Sequence, residues 1–244
     1  MTYKLRLIVI FLCFNWKSQS QITKSSSTDQ LNFNRAVALF DIGQYKPAQV
    51  LFSNLVTKSN SPQITYNASY FTAVCAIRLN LPSAQSRLES FLDNYPTSPR
   101  RNLIFLEAGN YYFNKTKFAY AKKWYQNVEP DNLKTHQKEL FFFRYGYSNF
   151  RTDNFEQAKT CFKNVEFSDQ YGSQARYYLG FMAYQQDDYY SASLLFQSKD
   201  VEQQFGEELA YFKADLKFKL GAFQEAIDAS LKALDDASPN EVSE

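Results

Sequence analysis

An alanine recurs at positions 48, 84, 121, 158, 192 and 226, at intervals of 36, 37, 37, 34 and 34 residues. Three residues before it stand Tyr45, Leu81, Phe118, Phe155, Tyr189 and Phe223. Four after it stand Phe52, Leu88, Tyr125, Phe162, Phe196 and Ser230. Twelve before it stand Ala36, Thr72, Gly109, Gly146, Gly180 and Ala214, all small or nearly so. Offsets of −3, 0 and +4 fall on one face of a helix with 3.6 residues per turn. A small residue in the middle of that face lets a neighbouring helix approach, and the small residue twelve earlier serves the same contact from a preceding helix. In unit four this predicts Gly146 facing Ala158. Turn residues lie between the two helices: Gly43, Asn114, Asp153-Asn154, Asp187-Asp188 and Gly221. Each unit therefore reads as two antiparallel helices. One pair cannot bury its apolar face alone, so successive pairs must stack. The packing joint repeats while the residues between joints vary.

Composition agrees with an all-α chain. Among 244 residues, 7 Gly and 7 Pro are too few for a turn-rich β protein, and aromatics reach 18%. A formal net charge of +2 offers no bulk electrostatic case for nucleic acid. The first twenty residues read as a secretory signal peptide. Lys4 and Arg6 precede the apolar run Leu7 to Phe14, and Ser18 and Ser20 place small residues at −3 and −1 of a cleavage after Ser20. Eight apolar residues are too few to span a bilayer, which needs about 20. Cys13 follows Leu12, where a lipid-anchoring signal wants a small residue, so no lipid anchor is expected. Cys75 and Cys161 read as buried small apolar side chains in separate units rather than as a bridge.

The six units resemble the tetratricopeptide repeat, which has a small residue at its position 8, an aromatic at 17, alanine at 20 and an aromatic at 24. Pro96 sits where that repeat often carries a proline. The resemblance covers about residues 31–237, in units of about 31–60, 62–96, 99–130, 137–168, 173–203 and 206–237. A signal at 1–20 and a short linker at 21–30 precede it, and 238–244 starts a further helix or ends the chain. Thr72, Leu81 and Ser230 depart from the pattern. The resemblance implies an α-solenoid coiled as a right-handed superhelix. The signal, the aromatic-rich repeats and the stretch Asn94 to Phe113 look like long exported repeat proteins of Gram-negative envelopes.

Chemistry-bearing constellations are sparse. The single histidine, His136, falls in the polar loop Glu129 to Glu139; no Cys/His spacing suits zinc and no glycine-rich loop follows a strand. Asp187-Asp188 reads as a turn pair satisfying backbone amides, and Glu207-Glu208 as acids at a helix start. No catalytic residue, metal or cofactor is expected. By the resemblance, the first helix of each unit lines a concave groove. Unit one places Phe33, Val37 and Phe40 there, and unit three Leu106, Asn110 and Phe113. Unit four contributes Phe143, Tyr147, Phe150 and Arg151, and unit five Tyr177, Phe181, Tyr184 and Gln185. Unit six contributes Tyr211, Asp215, Phe218 and Lys219. The aromatics among these suit partner binding, because they bury much area at low entropy cost; they equally suit packing against neighbouring helices.

The expected function is a non-enzymatic scaffold in the periplasm that binds a protein segment in the aromatic groove, with no nucleic acid and with room for peripheral membrane association. The alternative is a carbohydrate- or solute-binding module. Only Asn110 and Arg144 match a carboxylate clamp known from this repeat, so an acidic C-terminus is not the expected ligand. Ser61-Pro62 and Ser98-Pro99 each precede a unit, and Ser238-Pro239 repeats the signal with Glu241 completing a capping box. Helix residues Ala226, Ile227, Leu231 and Leu234 then leave an apolar stripe. The expectation is chain continuation or self-association through this end.

Overall fold

A computed structural model describes residues 28–237; the predicted signal peptide and its cleavage site, residues 238–244, and the side chain of Leu234 lie outside what it describes. Among the described residues there are twelve α-helices and no strand. They are α1 (28–41), α2 (Tyr45–Lys58), α3 (Pro62–Arg78), α4 (Ala84–Asn94), α5 (Arg101–Asn114) and α6 (Phe118–Tyr125), followed by a 3-10 turn at Pro130–Asn132. Then come α7 (Thr135–Phe150), α8 (Phe155–Lys163), α9 (Gly172–Gln185), α10 (Tyr189–Phe196), α11 (Lys199–Lys219) and α12 (Phe223–Ala237). Helix α1 is under way at residue 28, three residues before the expected start of the array. The helices pack in consecutive pairs, in two compact halves that divide within α5, between Tyr111 and Tyr112.

The repeated spacing has a direct structural cause. Ala36, Ala48, Ala84, Ala121, Ala158 and Ala192 are all wholly buried, and Gly109, Gly146 and Gly180 are buried as well. A Cβ at Gly180 would lie 2.5 Å from Phe196, and one at Gly146 would meet Cys161 at 3.0 Å and Phe162 at 3.1 Å. The nearest partners of Gly146 thus lie in the turn beyond Ala158, at Cys161 and the aromatic Phe162, rather than at Ala158 itself. Small residue and large ring interlock, and a buried ring of this size contributes roughly 1.5–3 kcal/mol.

Each turn between paired helices contains one left-handed residue: Gly43, Asn80, Thr116, Asp153, Asp187 and Gly221. Each stands seven residues after the small residue of its unit, provided that unit two is counted from Ala73 rather than Thr72. Ala73 is 1% exposed, and Ile64, Ala68, Phe71 and Cys75 join the core formed by Ala36, Ala48 and Phe52. In unit two the spacing from small residue to alanine is eleven rather than twelve, and α4 begins at Ala84 itself rather than three residues earlier. In unit three the left-handed residue is Thr116, and Asn114 is the last residue of α5.

Local capping follows the chemistry of the residues. Ser61 Oγ accepts from the Ile64 amide with Pro62 at the first helical position, and Asp188 accepts from the Ser191 amide at the start of α10. Helix α11 breaks at Phe205 (φ −128°, ψ 17°), so Glu207 and Glu208 open its second segment. Cys75 and Cys161 are free and buried, and burial pushes their thiols up to about 12 and about 11.

Candidate functional site: the aromatic face of the first helices

In the C-terminal half, α7, α9 and α11 bring the expected groove residues into one connected aromatic array. Tyr147 meets Phe113 (5.7 Å), Phe118 (5.3 Å) and Tyr178 (5.3 Å) edge-on, and Phe150 lies 5.0 Å from Tyr178 and 5.8 Å from Phe181. Phe143 stacks on Tyr171 at 4.9 Å. Tyr177 stacks on Phe205 at 4.4 Å, and Phe181 and Tyr184 both meet Phe212 edge-on. All of these rings are half-buried. Most of the nominated groove aromatics therefore also cement one helix pair to the next. Sequence reasoning could place them on a shared face but could not tell which side of each ring the following helix would occupy.

Polar groups fix the edges of the array. Arg151 is exposed; its guanidinium lies over the Phe118 ring at 4.8 Å and donates to Tyr147 Oη at 3.0 Å. Tyr184 Oη donates to Asp215 at 2.7 Å, and this bond, with Asp215 its first cause, raises the phenol to about 12. Burial, with Glu208 nearby, pushes the Tyr177 phenol up; burial also raises that of Tyr178, which the sequence reading had not singled out. Tyr178 sits two residues before Gly180, and its counterparts Phe71 and Phe212 occupy the same place in their joints. Tyr211 is 71% exposed at the far end of the array. Asn110, in the N-terminal half, is half-buried on α5.

His136 is the second residue of α7 rather than part of a loop, and it is exposed. Among the described residues no group of three His, Cys, Asp or Glu side chains is placed to hold a metal, and no helix is long and apolar enough to cross a membrane.

No protein-family model matches the chain, and no curated protein sequence matches it. Its structure resembles the crystal structure of a tetratricopeptide repeat protein from Parabacteroides merdae ATCC 43184, with a TM-score of 0.56 and 15% identity, over 87% of this chain and 81% of that one. At that identity the likeness speaks to architecture, and with the helices packed in consecutive pairs it establishes the fold: the chain is an α-solenoid of the tetratricopeptide type.

Proposed function

We propose that the chain is a non-enzymatic protein-interaction scaffold of the cell envelope, taking a partner segment along the aromatic face of α7, α9 and α11. The observation that carries this reading is the edge of that face. Arg151, Tyr147, Tyr184 and Tyr211 offer ring surface and hydrogen-bonding groups side by side on successive helices. The signal-like first twenty residues support export to the periplasm.

A photoreactive residue at position 151, in cells carrying the full chain, tests the reading, with Phe167, 86% exposed on the α8–α9 connection, as the control position. Capture of a discrete protein from 151 and not from 167 is the expected result. Equal capture at both positions, or none, would count against the scaffold reading. Saturable binding to a glycan array lost in Arg151→Ala would instead favour a carbohydrate-binding module.

A further inference from the structure

The inner joints show what the first and last described pairs leave open. Five residues before the small residue of each unit stand Leu31, Ala68, Ile104, Phe141, Ala175 and Leu209. The last five are between 0% and 3% exposed, because each is laid onto the preceding helix pair; Leu31 is 69% exposed. At the other end, the residue four after the alanine is wholly buried in five units, as Phe52, Leu88, Tyr125, Phe162 and Phe196; Ser230 is exposed. Around Ser230, α11 and α12 form an open groove of about 480 Å³ whose walls include Tyr211, Asp215, Phe218, Phe223, Ile227 and Leu231. This is the surface that α9 and α10 present to α11, with no described helix laid on it.

We infer that this groove receives helix α1 of a second copy, in the relation that α11 bears to α9 and α10, so that copies associate head to tail. Both partners of such a joint are on the chain, and their chemistry matches. In units two, five and six the residue two before the small residue seats between two rings of the preceding pair: Phe71 against Phe40 and Phe52, Tyr178 against Phe150 and Phe162, Phe212 against Tyr184 and Phe196; in the other two inner joints it is charged, Glu107 pairing with Arg78 at 2.7 Å and the Arg144 guanidinium lying over the Phe113 ring at 5.0 Å. Phe212 also meets Phe181. In the joint between copies this residue is Asn34, and the places of Phe181 and Phe196 are taken by Asp215 and Ser230. A polar residue meets a polar seat, as Glu107 meets Arg78 within the chain. The Asn34 amide oxygen already accepts from Gln30 at 2.9 Å, which leaves its N–H groups as donors toward Asp215. Leu31 takes the place held by Leu209, and Phe218 supplies the ring that Phe150 and Tyr184 supply in the inner joints. The contact joins two different surfaces of the chain, so it is heterologous, and each added copy offers a further end to the next.

Sedimentation velocity on the purified chain tests this with two variants at exposed positions, Leu31→Glu and Phe218→Glu. The wild-type average mass should climb with concentration past that of two chains, and each variant alone should stay monomeric. An equimolar mixture should form one-to-one pairs and nothing larger, since each variant keeps the end that the other has lost. A subtler pair avoids placing a charge in an apolar seat: Asn34→Asp should weaken association at least tenfold, and adding Asp215→Asn should restore it by reversing donor and acceptor. Three results would overturn the inference. They are a wild type that stays monomeric at every concentration, self-association that survives in Leu31→Glu, and a mixture that fails to pair.

Discussion

Helices α10 and α12 carry the same motif and meet opposite fates. In α10, Ala192 and Phe196 are wholly buried, because α11 lies over them and drives Phe212 between Phe196, Phe181 and Tyr184. In α12, Ala226 is buried, but Phe223, Ile227 and Leu231 are all more than half exposed, and the ring of the pattern is replaced by Ser230. The difference teaches that an aromatic here is a joint between pairs rather than a feature of one pair. A unit needs its large residue only where another helix is there to be met.

The comparison breaks most visibly when the joint loses its ring. Phe196→Ala should cost about 3–5 kcal/mol, as deletion of a fully buried ring does. Ser230→Ala, the same position in the last unit, should stay within about 0.5 kcal/mol. Urea denaturation of the two variants beside wild type reads both values.

How much of this was readable beforehand depends on what each position must satisfy. The small residues and their partners were legible, because close approach of two helices admits little besides Gly and Ala, and that constraint recurs at fixed offsets. Unit two shows the limit. Counting back twelve from Ala84 lands on Thr72, which is buried too, yet the residue in register with the other joints is Ala73, because the spacing from small residue to alanine there is eleven. Asn80, a residue that tolerates left-handed backbone, carried the correct register. Thr116 carried no such signal, since β-branched residues rarely adopt that conformation, and the nearby Asn114 is the more obvious turn residue by type. The face that holds the candidate site was legible too. Which rings it leaves open was not, because that depends on a neighbouring helix from another part of the chain.

The same joint can be probed from its small side. Gly180→Ala puts a Cβ 2.5 Å from the Phe196 ring and should cost about 1–3 kcal/mol by overpacking. Ala214→Leu, the equivalent position in unit six, adds more volume but faces Ser230 and a half-open surface, so it should change stability by less than about 0.5 kcal/mol. Equal costs at the two sites, measured by thermal unfolding, would remove the distinction between inner and outer pairs.

The turns offer a smaller contrast. Gly221 holds its left-handed conformation (φ +81°) without strain, whereas Thr116 is held at φ 57° against its β-branched side chain. Thr116→Gly should therefore stabilise by about 0.5–1 kcal/mol, while Gly221→Ala should destabilise by about 1 kcal/mol. Denaturant midpoints for the pair check both signs.

The smallest effect is alkaline. Tyr70 is raised from 10.0 to about 12 chiefly by burial, and Tyr184 to about 12 chiefly by its bond to Asp215. The fold favours the neutral phenol in each case. Their contribution to stability is thus complete below pH about 10 and is lost as pH rises toward about 12. Tyr184→Phe should flatten part of that decline, in a series of denaturant midpoints taken across this range.

Hydrogen exchange on the intact chain in dilute solution addresses the central claim most directly, since it reports how firmly each helix is held by the one laid upon it. Amides of α8 and α10, covered by the following pair, should exchange slowly and together. Those of α12 should exchange orders of magnitude faster, although it carries the same alanine-centred face. Protection of α12 equal to that of α10 would mean that a single pair holds itself, and would contradict the claim that these helices are stabilised joint by joint.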